Sequence, residues 1–146
     1  MHKYCISMTT AGGCEVSSDL MNLLIDKKVD LYLQGHDHAY ARGKQLAHRT
    51  GCTTVPDASF DADCVIDASS PHSAGAGTVI VTAGTGGQSI NSVDTGDPEA
   101  GYFASWMGSN ANPTYGFLKV TVTATSLTAT FTRGAGGSYT DSFTIQ

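Results

Sequence analysis

Charged side chains are scarce in this sequence, and the basic ones are the scarcer: 8 Lys and Arg stand against 13 Asp and Glu in 146 residues, a net charge of −5. Nucleic acid and anionic membrane surfaces are gripped through excess positive charge, so neither is expected as a partner. No apolar run approaches the roughly 20 residues that span a bilayer, and the first residues lack the basic, apolar and small-residue order of a secretory leader. The cysteines form no CxxC pair, which argues against a thiolate zinc knuckle. The glycine-rich run Gly84-Thr85-Gly86-Gly87 lacks the Lys-Ser/Thr of a phosphate-binding P-loop. Asn112-Pro113-Thr114 comes nearest to a glycosylation site and is blocked by its proline. What is left is ordinary globular composition, 40% hydrophobic and 14% charged, at a length that suits one domain or part of a larger one.

Four cysteines fall in two close pairs, Cys5 with Cys14 and Cys52 with Cys64. Four reduced, buried thiols are one reading. The preferred one is two local disulfides, each closing a short polar loop with little core of its own and each removing about 2–3 kcal/mol of unfolded-chain entropy. Disulfides imply an oxidising compartment, hence an extracellular protein.

Val16, Leu20, Leu23, Leu24 and Ile25 recur at three- and four-residue steps behind the capping candidates Ser17 and Ser18, which predicts a helix over 17–28. Residues 29–34 read as a strand stopping at Gly35, so helix and strand form the tail of a β-α-β unit. Residues 43–77 show no periodicity, and a long unpatterned stretch of this kind tends to be functional or stapled. Residues 78–82 read as a buried strand running into the glycine turn, and 88–116 as loop. Alternation in 118–124 and 127–132 predicts a hairpin with one apolar and one threonine face, and 141–146 predicts a last strand.

Immediately after the strand at 29–34 stands Gly35-His36-Asp37-His38. Ligands gather outside the carboxyl ends of strands in open α/β sheets. On an extended segment His36 and His38 project to the same side, roughly 6–7 Å apart at Cα, a spacing that suits metal ligation. An isolated HxH is more often a pair of surface histidines. His48 and His72 are expected to be solvent-exposed on the long loop, with His72 alternatively reaching a substrate phosphate.

The full string Gly35-His36-Asp37-His38-Ala39-Tyr40-Ala41-Arg42 resembles the GHxHxYxR signature of purple-acid-phosphatase-like, calcineurin-like metallophosphoesterases. The resemblance implies an α+β fold: the C-terminal part of a four-layer α/β/β/α sandwich, with one main helix and a terminal antiparallel β-hairpin. Residues 1–146 are then one partial catalytic domain. It further implies that two metal ions, Fe with Fe, Zn or Mn, are bound in the complete domain. His36 and His2 would ligate the second ion and His38 the first. Asp37 would accept a hydrogen bond behind the ligands, and Tyr40 and Arg42 would brace the loop. The substrate would be a phosphate ester, hydrolysed by in-line displacement.

The family's bridging aspartate and its GNH[DE] motif are not found in this sequence, so no catalytic residue is expected within the chain. The expectation is a partial site, weak or inactive in isolation, from a truncated gene model or a degenerate copy. Two rivals are kept: a secreted, disulfide-stapled β-module with incidental histidines, and a single-metal protein built on the histidines alone.

Overall fold

The computed structural model describes residues 1–9 and 13–146. One α-helix, α1 (Ser18–Asp26), precedes eight strands: β1 (Leu31–Gln34), β2 (Tyr40–Leu46), β3 (Val65–Asp67), β4 (Thr78–Ala83), β5 (Phe103–Met107), β6 (Thr114–Val122), β7 (Leu127–Gly136) and β8 (Ser142–Ile145). The first sheet runs β1-β4-β2-β3, with β5 pairing the other end of β2; the second runs β6-β7-β8. β1 and β4 are parallel, while β2 is antiparallel to β3, β4 and β5.

β4 explains why the molecule has two cores. Its residues are apolar or buried throughout, as a strand covered on both faces must be, and alternate side chains go to opposite sides. Ile80 packs with Met21 and Ile25 of α1, Tyr32, Leu46 and Phe103. Val79 and Val81 point the other way and pack with Tyr40, Met107, Ala129, Phe131, Phe143 and Ile145, which joins the two sheets face to face. The first core includes Cys5, Cys52 and Cys64, and both predicted disulfides are formed, Cys5–Cys14 and Cys52–Cys64.

The fold class expected from the sequence stands: an α+β chain with one helix, a mixed sheet and a terminal antiparallel sheet. Several details differ. The helix ends at Asp26, and Lys28 turns out of it with φ of 52°. Ser17 makes no side-chain cap, and the Ser18 hydroxyl donates instead to Asp57. Residues 43–77 are not structureless. β2 continues through Leu46 in the middle of the sheet, where nearly every position is buried, so its sequence shows no alternation to detect. β5 likewise lies inside the stretch read as loop. The hairpin is longer than its alternating core, pairing Thr114 with Gly136, with an irregularity at Tyr115/Gly116.

His48 and His72 are not solvent-exposed. His48 is half-buried and bonds through Nε2 to Asn22 Oδ1 at 2.8 Å. His72 is 1% exposed, stacks edge-on with Phe143, and bridges to Ile145 through backbone hydrogen bonds with Thr144 and Gln146. Burial and the nearby Arg42 guanidinium push its imidazole pKa down against the pull of Asp67. A ring enclosed between the sheets cannot reach a phosphate in solvent.

Candidate metal centre

The site lies where β1 and β4 end side by side. β1 leads into Gly35-His36-Asp37-His38, β4 leads into Ala83-Gly84-Thr85-Gly86-Gly87, and the parallel pairing of the strands delivers both turns to one edge of the sheet. Gly84 is required there by close approach: a Cβ would collide with the Asp37 carbonyl oxygen. The Gly84 amide donates to Ala39 O at 3.0 Å, which locks the two turns together.

A third segment, residues 1–9, closes the site. Gln34 holds it down from the end of β1. Its Nε2 donates to Ile6 O at 2.7 Å and to Thr82 Oγ1 at 2.9 Å, and its Oε1 accepts from Cys5 N at 3.1 Å. The Gly35 amide donates to His2 O at 3.0 Å, which sets His2 beside His36.

His36 is not extended. Its φ is +70°, so the motif turns sharply at its first histidine instead of continuing β1. The simple same-side argument from a flat strand therefore does not apply, yet His2, His36 and His38 still line one open hollow of about 310 Å³. His36 Nδ1 lies 3.2 Å from His2 Nε2. For tetrahedral zinc with bonds of about 2.0–2.1 Å, neighbouring ligand nitrogens are about 3.3 Å apart, so this pair is spaced to share one ion. The other ring nitrogen, His36 Nε2, lies 3.5 Å from Glu15 Oε2, which also pairs with Lys3 at 3.2 Å. A carboxylate beside the far nitrogen favours the tautomer that leaves Nδ1 free to ligate. Glu15 follows Cys14 directly, and its amide donates to Tyr4 O at 3.0 Å. The Cys5–Cys14 disulfide thus holds that carboxylate beside the ring. Tyr4 stacks on His36 with ring centroids 5.8 Å apart.

His38 stands apart from this pair. Its amide donates to Asn91 Oδ1 at 2.8 Å and its Nδ1 meets Ser89 O at 3.1 Å, which leaves Nε2 as the nitrogen that can ligate. Among the described residues, these histidines enter no group of three metal-ligating side chains within 4.8 Å of one another. The donor set fits one ion between His2 and His36, with His38 as a separate ligand. With only neutral donors in direct reach, the set has nothing to balance two multivalent cations.

Asp37, between the histidines, turns away from the hollow and is 3% exposed. It accepts from the Ser7 hydroxyl, which also contacts Thr9 Oγ1 at 3.2 Å. Burial raises its carboxyl pKa, opposed by these hydroxyls. The Ser7 amide donates at 2.8 Å to Glu99, a second buried carboxyl, pushed up to about 8 by desolvation.

Tyr40 and Arg42 point to the same face of β2 and meet one carboxylate, Asp141, from the segment entering β8. Tyr40 OH donates to its Oδ2 at 2.7 Å; Arg42 Nε donates to Oδ2 at 2.7 Å and Nη2 to Oδ1 at 3.1 Å. Burial and the adjacent carboxylate push the Tyr40 phenol pKa far up. These two motif residues therefore clamp the C-terminal sheet onto β2, the strand that follows the histidine turn. Glu15, Gln34, Asn91 and Asp141 were not singled out by sequence reading. Only Asp141 left a usable signal: Tyr40 and Arg42 alternate on a strand, so one acceptor can serve both.

Residues 77–142 match the family model described as iron/zinc purple acid phosphatase-like protein C. Over 99% of its length the chain superposes on the structure of purple acid phosphatase PPD1 from yellow lupin (Lupinus luteus) seeds, with a TM-score of 0.66 and 22% identity. The chain is similar to the C-terminal portion of a purple-acid-phosphatase-like metallophosphoesterase. It spans about a quarter, 24%, of the lupin chain. No curated protein matches the sequence. Tyr40 and Arg42, at the end of the histidine string, link that turn to Asp141 within the segment that the family model matches.

Proposed function

We propose that residues 1–146 are the histidine-bearing part of a dinuclear metallophosphoesterase site, acting on phosphate monoesters when the remaining ligands are supplied. One observation carries the reading: His36 has its Nδ1 3.2 Å from His2 Nε2 and its Nε2 held toward Glu15. That arrangement suits a ligand ring with one nitrogen facing a second imidazole and the other facing a carboxylate. His2 and His36 would hold one ion and His38 would contribute to a second. Bound metals of this kind lower the pKa of water and polarise phosphoryl oxygens.

What the chain itself does is position. Gln34 fixes residues 5–6, Gly84 lets the two turns touch, and Asn91 holds the His38 backbone. The acid for the leaving group and the negatively charged bridging ligand would come from outside these residues, so the chain alone should turn over little substrate. Two disulfides fit an extracellular setting.

Calorimetric titration with Zn²⁺ tests the reading. We expect about one ion per chain, with affinity lowered at least tenfold by His36→Ala or His2→Ala. Tight retention of two ions with robust hydrolysis of an aryl phosphate would overturn the partial-site reading. Indifference of zinc binding to both substitutions would favour the disulfide-stapled β-module instead.

A further inference from the structure

Beyond His2, His36 and His38, the histidine hollow is walled almost entirely by glycine and alanine. Among the described residues, the one other side chain with a hydrogen-bonding group in that wall is Gln88, and neither Lys nor Arg lines it. An anion entering the hollow would therefore meet a single side-chain N–H donor besides the imidazoles.

Gln88 is exposed, yet its amide is oriented. Ser89 N donates to its Oε1 at 3.0 Å, and a backbone N–H can be met only by the oxygen end of an amide. Turning the amide over would break that bond. Its Nε2 is the end left without an acceptor among the described residues. The same short segment braces His38: Ser89 O meets Nδ1 at 3.1 Å, and Asn91 pairs with the His38 backbone through its Oδ1 and its own amide, each at 2.8 Å. The turn ahead of Gln88 is anchored to β6, since Gly116 N donates to Thr85 O at 3.2 Å and Thr85 Oγ1 donates to Gly116 O at 3.0 Å. The donor end of Gln88 and the ligating nitrogen of His38 thus belong to one fixed wall.

Phosphoryl oxygens are acceptors, and those not on a cation need N–H donors. A fixed amide supplies a directional donor without adding charge, and it costs no reorganisation when the anion arrives. A freely turning amide would also present its oxygen, which repels a phosphoryl oxygen. We propose that Gln88 is a phosphoryl-binding residue of this site: Nε2 donates to an oxygen of the phosphate, while Ser89 N holds the amide the right way round. This rests on the phosphomonoester reading above.

The test uses the full chain saturated with Zn²⁺ and inorganic phosphate as the probe, with affinity read by phosphorus NMR titration beside zinc affinity and melting temperature. Gln88→Met keeps the length and removes both ends of the amide. Phosphate should then bind about tenfold more weakly, the scale of one hydrogen bond to a charged group, with zinc affinity and melting temperature unchanged. Gln88→Lys returns a donor but no acceptor for Ser89 N, and should bind phosphate at least as tightly as the wild type. Gln88→Glu keeps that acceptor and turns a negative charge to the anion, so it should bind more weakly than Gln88→Met. If Gln88→Met binds phosphate as the wild type does, or if Gln88→Lys is as weak as Gln88→Met, the contact is wrong. The phosphoesterase reading survives that result as long as the wild-type chain binds phosphate in a His36-dependent way. If the wild-type chain binds no phosphate, that reading falls and the role of Gln88 with it.

Discussion

The two faces of the central sheet are stabilised differently. On one side lie α1, residues 1–9 and the loops of 47–64, where apolar residues are interrupted by polar segments and two disulfides tie down what the core cannot hold. On the other side lies the β6-β7-β8 sheet, free of cysteine, held by alternating apolar residues and by one ion-pair clamp. Regions rich in short-range polar loops gain most from covalent closure, whereas a meander of long strands already has its backbone groups paired. The histidine hollow sits at the seam, with ligand candidates supplied by the stapled side and its glycine turn anchored to the meander.

This contrast can be broken most severely at the clamp. Asp141→Ala leaves the Arg42 guanidinium and the Tyr40 hydroxyl buried without their acceptor, and losing one partner of a buried pair costs about 3–5 kcal/mol. Urea unfolding should show that loss, and backbone exchange should rise in β8 before it rises around the disulfides. Replacing Cys52 and Cys64 together by alanine should cost about 3 kcal/mol for a loop of this length. Exchange should then rise in residues 48–64 and stay unchanged in β6 and β7. Equal loosening of both faces in either experiment would show that they are not separate regions.

Smaller effects sharpen the contrast. Glu99 has one oxygen accepting from Ser7 N and the other buried without a partner among the described residues. Its pKa is raised from 4.5 to about 8. The folded chain keeps a proton that the unfolded chain has lost, so stability should fall as pH rises from about 4.5 through about 8. Glu99→Gln should flatten that slope and stabilise the protein by about 1–3 kcal/mol at high pH, as followed by melting across a pH series. The slope should persist unchanged in Asp141→Ala, on the opposite face. Smallest for the fold is Glu15→Gln: stability should move by under about 0.5 kcal/mol, while zinc affinity drops about tenfold as His36 loses its orienting carboxylate.

Elements with a periodic signature were legible from the residues: the helix through Leu20 and Ile25, the buried run at Val79–Val81, and the hairpin through Leu118 and Phe131. β2 was not, because Ala41, Gly43, Gln45 and Leu46 are buried on both faces and show no alternation. His36 and His38 stood out by their string. The bend that places them did not, since nothing local marks a histidine at φ of +70°.

Sequence alone determined the short-range matters: which runs are helical or extended, which cysteines can close local loops, and which string lies at a strand end. Tertiary structure decided the rest. It placed Glu15 on His36, a contact that depends on a disulfide closing an irregular loop. It brought Asp141 about a hundred positions along the chain to Tyr40 and Arg42, and it enclosed His72 between two sheets. The physical reason is that propensity and periodicity act between residues a few positions apart. The partners of a buried charge are chosen only when whole layers pack and every enclosed polar group must find an acceptor or donor.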